Sequence, residues 1–205
     1  MSNLVNIYRN LYLDSRRWLR LVFIWFAAGT VIGGLTFFVY QDLLQVIFDI
    51  FSDKFGDAPA LDFNLVEGIF LNNVQASAIA LFGGLLVGLG PFLVVVSNGF
   101  ILGYILVSVT LLSPESAWQS LGVLIVGILP HGIIEIPAFL FAGAIGLGLG
   151  IEWLKQENYG HRKEVFKKHL RNALIAIPII VVSLFIAALI EVYLTGNLLD
   201  QIAPR

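Results

Sequence analysis

Twenty consecutive residues without a charge, Leu21–Tyr40 (LVFIWFAAGTVIGGLTFFVY), set the first limit on this chain. About 20 apolar helical residues cross the hydrocarbon core of a bilayer. Comparable runs return at residues 74–112, which carry no charge, and at Leu121–Ile151 and Ala173–Leu194, which carry one acid each, Glu135 and Glu191. Charged residues make up 13% of the 205, against about 25% in an ordinary soluble domain. A soluble domain, a disordered chain and a disulfide-rich module are excluded, the last also by the absence of Cys. A formal net charge of -2 with no large basic surface argues against a nucleic-acid partner. The expected fold class is therefore all-α. It is a polytopic transmembrane helical bundle of about five spans, a single integral membrane domain over residues 1–205.

The loop charges give this layout an orientation. Residues 1–20 hold four Arg and one Asp, residues 41–70 one Lys and six acids, and residues 152–171 six Lys or Arg and three Glu. Basic loops stay on the cytoplasmic side. Five crossings then place the basic segment 1–20 and the basic loop 152–171 inside and the acidic loop 41–70 outside. The expected location is a cell membrane, multi-pass, with the N-terminus cytoplasmic and the C-terminus external. Leu21–Tyr40 is read as a true span, because it is twice the length of a signal-peptide core and no small-residue cleavage site follows. Within the acidic loop, Leu43, Leu44, Ile47, Ile50 and Phe51 share one face of an amphipathic helix suited to the interface. Ala58-Pro59 ends that pattern, and Asp62 or Asn64 caps the next helix.

Two breaks are open from sequence. The pairs Gly90-Pro91 and Asn98-Gly99 both signal a turn between the second and third spans. Pro114 marks an early position in the next turn or helix. The thirty-one residues of Leu121–Ile151 would extend about 46 Å as a helix, more than the core needs, and contain Pro130 and Pro137. A span broken around Pro130–Pro137 is expected.

The candidate site lies in that stretch, at Pro130-His131-Gly132-Ile133-Ile134-Glu135-Ile136-Pro137. A carboxylate in mid-membrane needs a cation, a polar cavity or a proton. His131 and Glu135, four apart, share a helix face. Gly132 removes bulk beside them, and Pro130 frees a backbone carbonyl upstream; with Pro137, the five residues define an intramembrane polar locus. A hydrogen-bonded clasp between helices is the competing structural reading. Asn72, Asn73 and Asn98 are the supporting polar residues, either bridging helices or lining a wet cavity with His131 and Glu135. A metal site is not expected, since two ligands are present and no third His or carboxylate stands nearby in sequence. The HExxH order is absent too. No cofactor motif, nucleotide loop or nucleophile elbow occurs, so no enzymatic activity is expected. Gly29, Gly33, Gly84, Gly88, Gly146 and Gly150 are assigned to helix packing. General glycine enrichment in membrane helices accounts for Gly29 and Gly33 more readily than dimerisation through their face.

With PHGIIEIPAF at 130–139, Asn72-Asn73 ahead of a glycine-rich span, and NGFILG at 98–103, the sequence resembles the stage II sporulation protein M family of bacterial and archaeal integral membrane proteins. The resemblance covers roughly residues 10–195. It implies, for spore formers, a membrane anchor in an engulfment complex with peptidoglycan-degrading partners. Members in organisms that do not sporulate carry no such implication. Two functions follow as expectations. The favoured one is a scaffold or component of a membrane or envelope complex, with other membrane or envelope proteins as partners besides the lipid bilayer. The alternative is a small homo-oligomeric channel or transporter for an ion or small solute, using His131 and Glu135.

Overall fold

The computed structural model describes residues 2–56, 60–112 and 117–202. The described residues are almost entirely helical, and five segments are long and apolar enough to cross a membrane: Leu4–Thr36, Phe63–Leu85, Leu89–Leu112, Gly122–Leu154 and Gln156–Leu199. The helices are α1 (Ser2–Thr36), α2 (Leu43–Phe55), α3 (Phe63–Phe82), α4 (Leu89–Leu112), α5 (Ala117–Ile151), α6 (Arg162–Leu189) and α7 (Gly196–Ile202). The break at Ala58-Pro59 and the turn at Pro114 lie outside the described residues.

α1 runs without interruption from the basic segment into the first span. α2 is the short helix of the acidic loop, with none of its residues buried. α3 starts where the carboxylate of Asp62 accepts a hydrogen bond from the Leu65 N–H at 3.1 Å, which satisfies one of the free donors of the first turn. The turn between the second and third spans falls upstream of both sequence candidates. A single 3-10 turn, Gly83–Leu85, ends α3, and Gly88 in a left-handed conformation (φ 83°) leads into α4. Pro91 then sits in the first turn of α4, where its missing N–H costs no helical hydrogen bond. Asn98-Gly99 lies inside the helix.

The expected break in the long fourth run is not there. α5 passes through Pro130 and Pro137 as one helix. Each proline removes one backbone hydrogen bond. In a bundle, neighbouring helices and local adjustment absorb that loss. The prolines are seven residues apart, about two turns, so both perturb the same side of the helix.

The second half of α5 is the centre of the bundle: every residue from Ala142 to Gly150 is buried. The neighbours come close because the contacting residues are small. Gly146 lies against the Ala80 and Leu81 carbonyls of α3, and Gly84 and Gly150 touch backbone to backbone. Gly88 faces the Leu147 and Ile151 side chains. Ala142, Ala144, Ala173, Ala176, Ala187 and Ala188 are fully buried in the same interior. Without a hydrophobic force between helices in lipid, this kind of close packing carries association. α1 packs mainly on α4. Gly29 and Gly33 face Val96 and Phe100, while Gly99 and Gly103 face Phe26 and Thr30. The Gly29/Gly33 face is thus used inside the chain and is not free for dimerisation. Large apolar side chains such as Phe23, Val31, Phe38, Leu129 and Val182 point outward, as a lipid-facing surface requires.

Polar contacts fix the two ends. At one end Glu152, only 7% exposed, accepts from the Trp18 indole at 2.7 Å and pairs with Arg17 and with Lys155 at 3.2 Å. Asp14 pairs with Lys168 at 2.8 Å and accepts from Asn172 at 3.2 Å. The basic N-terminal segment and the basic loop are therefore stitched to one another. At the other end the buried Tyr104 hydroxyl reaches the carbonyls of Tyr40 at 2.7 Å and Gln41 at 3.0 Å, holding the turn that follows α1.

Candidate functional site

Helical spacing on α5 puts His131 and Glu135 one turn apart on the same face. That face looks into a cavity of about 250 Å³ between α3, α4 and α5. Asn73 and Ser77 enter it from α3 and Asn98 from α4; Gly132 completes the α5 wall. Residues far apart in sequence thus meet in one polar space, surrounded by aliphatic side chains such as Ile101, Ile105 and Ile128.

Not all the expected residues take part. Asn72 points away, toward the Lys54 ammonium of α2, and donates to the Asn73 side chain at 3.3 Å. Pro137 lies on another face of α5, in an open groove shared with α1 and α6. Pro130 does not line the cavity. Asn98 donates its amide N–H to the Val94 carbonyl at 2.8 Å and leaves the rest of its side chain exposed at the cavity's edge.

One partner was missed from sequence. Glu191 brings a carboxylate to His131 and Glu135, so that one ligand-type atom from each of the three lies within 4.8 Å of the other two. No third His or carboxylate stands near His131 and Glu135 in sequence, and it is the fold that brings Glu191 to them from the last span. Glu191 occupies the π-helical segment Ile190–Thr195 between α6 and α7. A π segment adds a residue to the turn and re-aims the side chains on it, and such segments recur at functional sites. The sequence signal was present in one respect: Glu135 and Glu191 are the acids that interrupt the long apolar runs. Neither spacing nor periodicity links the two.

The electrostatics of the locus are unusual for so apolar a surrounding. The ion pairs among the described residues, Arg17–Glu152, Lys155–Glu152 and Lys168–Asp14, all lie at the far end of the bundle. Two carboxylates and one imidazole therefore face one another in an apolar surrounding without a lysine or arginine between them. His131 Nδ1 is buried and makes no hydrogen bond. Such an arrangement can hold a cation, share protons, or bind a polar solute through the adjoining amides.

Comparison with known proteins agrees with this architecture. The model of the family described as Stage II sporulation protein M matches residues 22–196, which takes in all five spans in whole or in part. An uncharacterized protein of Methanocaldococcus jannaschii is 31% identical over 177 residues, covering 84% of this chain and 90% of the relative. No solved structure matches the chain. Five membrane-crossing helices, the match across 22–196 and the archaeal relative lead to one conclusion: the chain belongs to the Stage II sporulation protein M family.

Proposed function

We propose that this membrane protein conducts or carries an ion or small polar solute through the chamber at His131 and Glu135. The observation that carries the reading is the convergence of Asn73, Ser77, Asn98, His131 and Glu135 on one cavity within the spans. A bundle held together only by packing has no need of a polar space there, and broken or perturbed helices with polar groups at mid-depth are a recurring way to build a transport site. The exposed Asn98 amide at the cavity's edge supports a homo-oligomer in which a second copy closes the chamber. On this reading the domain is a single membrane unit. Residues 1–20 and 152–171 face the cytoplasm of a prokaryotic cell, the loop 41–70 and the C-terminus lie outside, and the protein is not an enzyme. The stitched basic segments fit one shared side.

Flux in proteoliposomes tests this. The native protein is expected to pass a proton or cation at a rate that Glu135→Gln lowers at least tenfold, while the purified variant keeps its elution profile. Native liposomes no leakier than empty ones, across protons, metal cations and small solutes, would overturn the reading. The second reading is a scaffold within a membrane or envelope complex, and membership of a family described by a sporulation stage favours it. That role tolerates loss of the polar chamber, so Glu135→Gln would leave partner capture unchanged.

A further inference from the structure

We infer that His131, Glu135 and Glu191 form a binding site for a divalent transition-metal cation. The inference rests on the chamber reading above and names the class of ion. Three kinds of observation carry it. First, the geometry: one nitrogen and two carboxylate oxygens lie within 4.8 Å of one another, so small side-chain rotations bring them to the spacing of about 3.3–4.4 Å that bonds of about 2.0–2.2 Å to a central ion require. Second, the chemistry of the set: imidazole favours zinc, iron and related ions over magnesium or calcium, and carboxylates accept the same ions. Two ionised carboxylates carry two negative charges, so a divalent cation leaves the loaded site neutral. A monovalent ion leaves a charge buried in apolar surroundings, which is costly.

Third, the local structure. The ligands come from two elements, α5 and the π-helical segment Ile190–Thr195, and the π segment interrupts an otherwise regular helix where Glu191 stands. His131 Nδ1 is buried without a hydrogen-bond partner, so no protein group holds that nitrogen. A three-ligand set beside a polar cavity also leaves coordination positions for water or for the amides of Asn73 and Asn98. Open positions of this kind leave room for water or a solute on the ion, whereas structural sites are closed.

The test uses the purified full chain in mild detergent, titrated separately with Zn²⁺ and Mn²⁺ chlorides. Binding is followed by calorimetry for zinc and by the loss of free-ion electron paramagnetic resonance for manganese. One ion per chain is expected, uncompeted by millimolar sodium or magnesium, with affinity lowered at least tenfold in Glu191→Gln and in His131→Ala. Glu191→His, which replaces one ligand by another, should retain binding where Glu191→Gln loses it. Glu67→Gln, an exposed acid outside the cluster, should bind as the native protein does. Absence of saturable binding by the native chain overturns the assignment, as does unchanged affinity in Glu191→Gln. Proton flux without metal binding would overturn the metal site and leave the chamber reading standing. Metal binding without flux of any ion would do the reverse.

Discussion

Glu152, Glu135 and Glu191 are carboxylates in a chain of low charge, and they are treated in opposite ways. Glu152 meets Arg17, Lys155 and the Trp18 indole, whereas Glu135 and Glu191 meet each other and His131. The first arrangement is what a stabilising contact looks like at a membrane boundary: charge is matched and every partner reaches water. Glu152→Gln removes the charge that Arg17 and Lys155 share. Because Arg17 is about half exposed, solvent screening trims the effect, and a loss of about 1–3 kcal/mol is expected. A lower thermal midpoint in detergent, read through Trp fluorescence, checks this. The second arrangement stabilises nothing by itself, which is why we assign it a ligand. His131 and Glu135 were legible from their spacing in the run Leu121–Ile151. Glu191 was not, because its approach depends on how the last helix docks and on one extra residue in its turn, neither of which leaves a periodic trace.

At the scale of elements, small residues decide which helices meet. The glycines at 29 and 33 were visible as a stripe, but a stripe does not name its partner. The structure pairs it with the matching stripe Gly99 and Gly103 of α4, where a Cβ on Gly103 would overlap the Thr30 carbonyl. Backbone cannot move aside as a side-chain tip can. Gly103→Leu is therefore expected to cost about 3 kcal/mol or more and to remove most monodisperse protein in size-exclusion chromatography. Gly160→Leu, with open space around it, should leave the profile unchanged. The spans were readable because length and absence of charge are local properties. The course of α5 was not: proline predicts a break when a helix stands alone, and here α3, α4 and α6 pack around it. The turn before α4 was misplaced by a few residues for a related reason. Gly83, Gly84, Gly88, Gly90 and Pro91 crowd one stretch, and which of them takes the left-handed conformation is settled by packing on α5.

Among the described residues, a tightly packed interior lies beside a mainly apolar cavity into which a few polar side chains project. The small-residue core, centred on Ala142–Gly150, binds the helices together. The chamber lies farther toward the other end of α5, among Asn73, Asn98, His131 and Glu135. Tight packing where the helices must hold and a gap with polar groups where they part is the layout expected of a protein that passes or binds something within the membrane, and water is expected to reach this gap. Since the chain has no Cys, single cysteines report without background. The most direct measurement is the labelling of Asn73→Cys by a water-soluble, membrane-impermeant thiol reagent in proteoliposomes, beside Ile79→Cys on the lipid-facing side of the same helix. The expected result is labelling of Asn73→Cys that added Zn²⁺ slows, with Ile79→Cys unreactive. Equal inertness of both positions, with reagent supplied to either face, would mean that the chamber is dry and would overturn a transport role for it.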